Sequence, residues 1–153
     1  MLKLTKKADY GLISLKHIAC CGRLGLASTK EMAETYGIPV PILSKVLQKL
    51  VREGLLVSEQ GVNGGYRLAR DPASITALEV IRAIDGPILL TNCLNLSGEC
   101  EISGLCNVRE PLRKVHERIQ SVLASTTIAD LSQDEGPPAR ARESTNRLTV
   151  ITS

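Results

Sequence analysis

Tryptophan and phenylalanine are absent from this 153-residue chain, and tyrosine occurs only at Tyr10, Tyr36 and Tyr66. A core built from such a chain is aliphatic. Binding that stacks single-stranded bases on aromatic platforms is disfavoured, because it leans on the residues missing here. Histidine is nearly as scarce, with only His17 and His116. A nucleophilic cysteine ordinarily needs a neighbouring base. Neither histidine sits in a recognisable catalytic motif, and no Gly-rich phosphate-binding loop occurs. The chain is therefore not expected to be an enzyme or to take a small-molecule substrate, a thiol-dependent enzyme being the alternative of that class. No apolar run reaches the roughly 18 residues of a membrane-spanning helix, and the opening MLKLTKKADYG lacks the apolar stretch of a secretory signal. The expectation is a cytoplasmic protein with no membrane partner, its thiols kept reduced.

What is present is 43% apolar, enough for a real core. The length fits one domain, or a small domain with an appendage. The net charge of +3 is uneven: residues 1–85 hold twelve Lys/Arg against eight Asp/Glu, and residues 86–153 hold seven against eight. Surplus positive charge in the first part suits phosphate contact.

Apolar residues at Leu4, Ala8, Leu12, Leu15, Ile18 and Ala19 recur at helical spacing and predict a helix from about Thr5 to Cys21, ended by Gly22. Ser28 or Thr29 caps a second helix running to Tyr36, with Glu31 at capping-box distance from Ser28. After a turn at Gly37 and Pro39, a third helix is predicted from about Pro41 to Glu53, stopped by Gly54. Its Leu43, Val46, Leu47, Leu50 and Val51 face inward. Pro41, Ser44, Lys45, Gln48, Lys49 and Arg52 face outward, a basic, amide-bearing surface suited to phosphates and base edges. In isolation that surface is equally a solvated helix face, but a short helix, a Gly turn and a polar-faced helix follow a helix-turn-helix order. The strand-like runs at 55–58 and 66–69 flank a turn-rich stretch from Gln60 to Gly65, which predicts a β-hairpin, the wing. Its glycines allow positive φ and close backbone approach to DNA. A fourth helix is expected over Ala77–Ile84, capped by Thr76 or Ser74 and ended by Asp85-Gly86-Pro87.

Asn107 to about Ser125 carries the longest helical pattern. Val108, Leu112, Val115, Ile119 and Val122 step by four, three, four and three, a heptad seam. No partner helix of matching length exists in the chain, so a two-fold homodimer through this helix is inferred, with an intramolecular core helix as the alternative. The fold class is mainly α with a small β-hairpin. We divide the chain into a winged helix-turn-helix DNA-binding domain (1–85), a cysteine-bearing loop (86–106), a dimerisation helix (107–131) and a polar, Pro-rich tail read as disordered (132–153).

Three of the five cysteines, Cys93, Cys100 and Cys106, stand alone in a glycine-punctuated loop, with six and then five residues between them. Clustered cysteines in a reducing compartment point to metal or redox chemistry. Three thiolates supply three ligands to an iron–sulfur cluster. Zinc is the rival cofactor, although no C-x₂₋₄-C pair of the structural zinc type occurs; a thiol switch without cofactor is the third option. Cys20 and Cys21, adjacent at the end of the first helix, are expected to be buried or half-buried.

LTKKADYG, EGLLVS, GVNGGYRLAR, ALEVIRAIDGP and the three loop cysteines together resemble the IscR/NsrR superfamily of dimeric winged-helix regulators, over about residues 1–131. IDGPILLTNC looks most like the branch regulating the SUF iron–sulfur assembly operon. The resemblance implies a transcriptional regulator or repressor whose grip on a palindromic double-stranded operator depends on an iron–sulfur cluster, [2Fe-2S] rather than [4Fe-4S]. A nitric-oxide or redox sensor of the same fold is the alternative. It sets Pro41, Ser44 and Lys45 at the head of the recognition helix and Gln60 to Gly65 in a wing approaching the minor groove. The candidate DNA contacts are then Thr29, Pro41, Ser44, Lys45, Gln48, Lys49, Gln60, Asn63, Gly64, Gly65 and Tyr66. Some members take a fourth cluster ligand from a His three residues after the third cysteine, where this chain has Arg109. Others use an Asp near the amino terminus, and Asp9 falls at that position; Glu110 and His116 are runners-up.

Overall fold

A computed structural model describes residues 3–21, 25–91, 94 and 104–133. The elements are α1 (Lys6–Cys21), α2 (Thr29–Tyr36), α3 (Val40–Arg52), β1 (Leu56–Glu59), β2 (Gly65–Leu68), a 3-10 turn at Pro72–Ser74, α4 (Ala77–Asp85), α5 (Arg109–Ser125) and α6 (Ile128–Gln133). The mainly helical class with one antiparallel hairpin is borne out.

Local chemistry accounts for the helix ends. Ser28 and Glu31 form the expected capping box at the start of α2, each satisfying an amide that the helix leaves unpaired. Gly37 closes α2 in the left-handed conformation (φ 66°), and its amide donates to the Ala33 carbonyl. The third helix opens one residue earlier than predicted: Pro39 is the N-cap, Val40 the first helical residue, and Pro41 follows at a position where its missing N–H costs nothing. α5 begins at Arg109 rather than Asn107, with Val108 as an N-cap that offers no side-chain acceptor. The Gly22 stop lies outside the described residues. Cys20 is exposed, against expectation.

One aliphatic core joins α1, α2, α3, the first wing strand, α4 and α6. Leu15, Met32, Leu43, Leu47, Leu50, Leu56, Ile75 and Ile128 are its most deeply buried members. A smaller cluster of Leu78, Ile81 and Ile88 packs against Leu12 of α1 and Leu123 of α5. Gly11 lets α1 approach α4 closely, since a Cβ there would fall 2.2 Å from Ile84 Cδ1. Where α4 ends, two further ties form. The Thr5 hydroxyl donates to the Asp85 carboxylate at 2.6 Å, and the Lys49 ammonium donates to the Ile84 carbonyl at 2.8 Å.

α6 was not anticipated. The chain leaves α5 at Thr126, pairs back with the segment before α4 (Thr76 opposite Thr127), and buries Ile128 completely. The expected boundary at residue 131 therefore falls inside a helix packed on the first domain. The remainder of the tail, from residue 134, lies outside the described residues.

Candidate nucleic-acid interface

α3 contains no acidic residue. Its buried face is Leu43, Val46, Leu47 and Leu50, as read from the sequence, and Pro41, Lys45, Gln48 and Arg52 are exposed on the other side with Ser44 half-buried. Thr29 stands half-buried at the first position of α2. The wing hairpin pairs Leu56 with Leu68, Val57 with Arg67, Ser58 with Tyr66 and Glu59 with Gly65. Between wing and α3 runs a groove of about 430 Å³ lined by Gln48, Val51, Arg52, Ser58, Gln60 and Tyr66. Arg52 supplies its positive charge. Arg52 and Ser58 were missing from the candidate contacts. The hairpin register brings Ser58 here, and sequence spacing does not reveal that register.

Three expected contacts, Lys49, Gly64 and Gly65, are engaged within the fold. Lys49 spends its ammonium on the C-terminal carbonyl of α4, a favourable site for a cation at the negative end of a helix. Gly64 and Gly65 do not adopt positive φ; among the wing glycines Gly61 does (φ 122°). They are small for packing. A Cβ on Gly65 would lie 2.5 Å from the Ala27 carbonyl oxygen, and one on Gly64 would lie 2.5 Å from that of Glu59. The wing is thereby locked onto the strand entering α2, where Tyr66 N–H donates to Ala27 at 2.8 Å and Ala27 N–H donates back at 3.1 Å. Gln60 and Asn63 remain exposed at the wing tip, and Arg67 is paired with Glu59.

Behind α2, His17 of α1 is buried and touches both ends of that helix. Its Nδ1 lies 2.9 Å from the Tyr36 hydroxyl and its Nε2 lies 3.2 Å from Glu31 Oε1. Glu31 is also the capping residue, so one carboxylate serves both the helix start and the α1 contact.

Of the expected cluster ligands, Cys93 and Cys100 lie outside the described residues. Cys106 is half-buried, not in a disulfide, and three residues before α5. Asp9 is half-buried in the first turn of α1. Among the described residues no three His, Cys, Asp or Glu side chains converge on one point. The runners-up lie on α5. Glu110 is engaged by Arg113, which also reaches Glu117, and that hydrogen bond holds the Glu110 carboxyl below the usual carboxylate range. His116 sits two turns into α5, and the helix from Arg109 to His116 alone spans about 10 Å.

The heptad stripe divides. Val108, Val115 and Val122 are 52%, 44% and 63% exposed, whereas Leu112 and Ile119 are half-buried. Leu123, outside the expected seam, anchors α5 on α4. A row of valines seven residues apart is left on the surface.

Comparison with known proteins agrees with this architecture. The global cysteine regulator CymR (YrzC) of B. subtilis is 30% identical, with a TM-score of 0.73 over 89% of this chain and 100% of that one. IscR of T. potens is 31% identical, with a TM-score of 0.66 over 87% and 88%. The oxidized form of Staphylococcus aureus CymR is 25% identical, with a TM-score of 0.62 over 88% and 98%. The family of iron-dependent transcriptional regulators called Rrf2 matches residues 4–134. A helix-turn-helix with a locked wing, embedded in a match over residues 4–134, makes the chain a DNA-binding transcriptional regulator of the Rrf2 family.

Proposed function

We propose that this regulator is a homodimer whose affinity for a palindromic operator is set by an iron–sulfur cluster, and that it governs iron–sulfur assembly genes of the SUF type. Cys93, Cys100 and Cys106 would hold the cluster, with Asp9 as the fourth donor. The donor set fits: three thiolates suit iron–sulfur chemistry, and a single carboxylate completes four ligands. Such a cluster supplies a redox-active centre that oxidants and iron supply can destroy.

The observation carrying this reading is the position of Cys106. Its thiol stands half-buried ahead of a helix whose N-terminus no side chain caps. A route to the DNA-binding face also exists. The cysteine loop leaves directly from the end of α4, where Ile84 accepts from Lys49 of α3 and Asp85 accepts from Thr5 at the head of α1. Ligands shifting in that loop would pull on the recognition helix and on the helix bearing Asp9. The dimer rests on the valine row of α5, and Rrf2 regulators are generally dimeric.

The test is anaerobic purification followed by visible absorption, iron and sulfide per chain, and operator affinity before and after cluster removal. Cluster-bearing protein whose affinity changes on removal is expected. A colourless protein with full operator affinity would overturn the reading.

A second reading, a redox or nitric-oxide sensor of the same fold, draws on Asp9, because an oxygen ligand leaves iron open to attack, and on the likeness to oxidized CymR. Exposure to nitric oxide compared with iron starvation separates the two. A response to nitric oxide alone would favour the sensor.

A further inference from the structure

The head of α3 is built unlike the rest of its outer face. Val40 is 47% exposed and Ile42 39% exposed, and Pro41 between them is exposed as well. Pro39 and Pro41 carry no amide hydrogen, so hydrogen-bond donors are sparse at this tip. The polar side chains begin only at Ser44 and Lys45, one turn later. Three adjacent apolar residues in open solvent are costly to leave uncovered. In a helix-turn-helix protein the first residues of the recognition helix are the ones that meet base edges.

A tip without donor side chains cannot grip guanine or adenine in the two-pronged way that Arg, Asn or Gln does. The major groove presents one apolar feature, the C5-methyl group of thymine, and apolar side chains read it by contact. Charge complementarity brings DNA to this surface rather than another protein: Lys45 and Arg52 lie on the same helix, no acidic residue interrupts it, and the wing groove runs alongside.

We infer that Val40, Pro41 and Ile42 form an apolar reading head that selects operators by thymine methyl groups. This rests on the reading of α3 as the recognition helix. It adds the base type that each half-site must offer.

The experiment uses the full chain, purified anaerobically, and a random duplex pool. Sequences enriched by the protein are resynthesised with each thymine replaced in turn by deoxyuridine, which removes only the methyl group. Loss of one buried methyl is expected to weaken binding about fourfold at one or two positions per half-site. In Val40→Ala or Pro41→Ala protein the penalty at one of those positions should vanish, while melting temperature stays unchanged because both side chains are exposed. Deoxyuridine without effect at every thymine overturns the inference, as does a penalty that persists undiminished in every head variant. Failure to enrich any sequence overturns the operator reading itself, and the inference with it.

Discussion

The Lys49 ammonium donates a 2.8 Å hydrogen bond to the main-chain carbonyl of Ile84, fastening α3 to the last turn of α4. Lys45, one turn earlier, stands exposed on the outer face of α3 with no such partner among the described residues. Two lysines that look alike in the sequence therefore do different work. Lys49→Met should lower stability by about 1 kcal/mol, a drop of about 2–4 °C in Tm, and leave the salt dependence of operator binding intact. Lys45→Ala should leave Tm unchanged and reduce the slope of log affinity against log salt by about 1. Thermal melting and a salt titration of both variants check this, and a flattened slope in the Lys49 variant would return that side chain to the phosphates.

The wing is expected to fail through packing. Gly65→Ala puts a methyl 2.5 Å from the Ala27 carbonyl oxygen, backbone that has little room to yield. The cost should be on the order of 2 kcal/mol, read as a lower denaturation midpoint. Operator affinity should fall with it, because Gln60 and Asn63 ride on the displaced hairpin.

Much of this was legible beforehand, and the losses have physical reasons. Capping residues and apolar periodicity gave the helices of the first 85 residues, because Ser28, Glu31 and Gly37 act on amides within their own turn. The hairpin was legible from its glycines, but not why Gly65 is a glycine, since that depends on Ala27, nearly forty residues away. The same holds for Lys49, whose partner is a backbone carbonyl thirty-five residues on. α6 is too short to show a period. Thr127 followed by Asp130 at capping distance was the available signal. The heptad stripe was visible, but it mixes two faces: Leu112 and Ile119 turn partly inward, and only Val108, Val115 and Val122 stay out.

That division makes the dimer testable without wrecking the fold. Val115→Glu with Val122→Glu places charges on side chains already 44% and 63% exposed. The variant should keep the helical content of the native chain, sediment as a monomer, and lose affinity for a palindromic site far more than for a half-site. Leu123→Glu should instead unfold the helix from its seat on Leu78, Ile81 and Ile88. A double-valine variant that still sediments as a dimer would move the interface elsewhere.

The junction of α6 with the first domain should be sensitive to acid. Thr76 and Thr127 pair across an antiparallel bridge, with Ala77 N–H donating to Thr126 at 2.8 Å and Ile128 N–H donating to Ile75 at 2.9 Å. Each threonine is closed by a carboxylate three residues on: Thr76 N–H donates to Glu79 at 2.9 Å and Thr127 N–H donates to Asp130 at 2.8 Å. Those backbone hydrogen bonds are the main reason both carboxyls sit below their ordinary values of 4.5 and 3.8, with Arg70 also lowering Glu79. A carboxyl whose pKa is depressed on folding stabilises the native state above its unfolded value and ceases to do so as pH falls through the folded one. Wild-type Tm should thus hold from pH 7 to about pH 5 and fall steeply below about pH 4. Glu79→Gln with Asp130→Asn should melt lower at pH 7 and show a flatter decline, the two curves drawing together as the pH falls. Parallel curves over the whole range would mean that other carboxylates govern the acid transition.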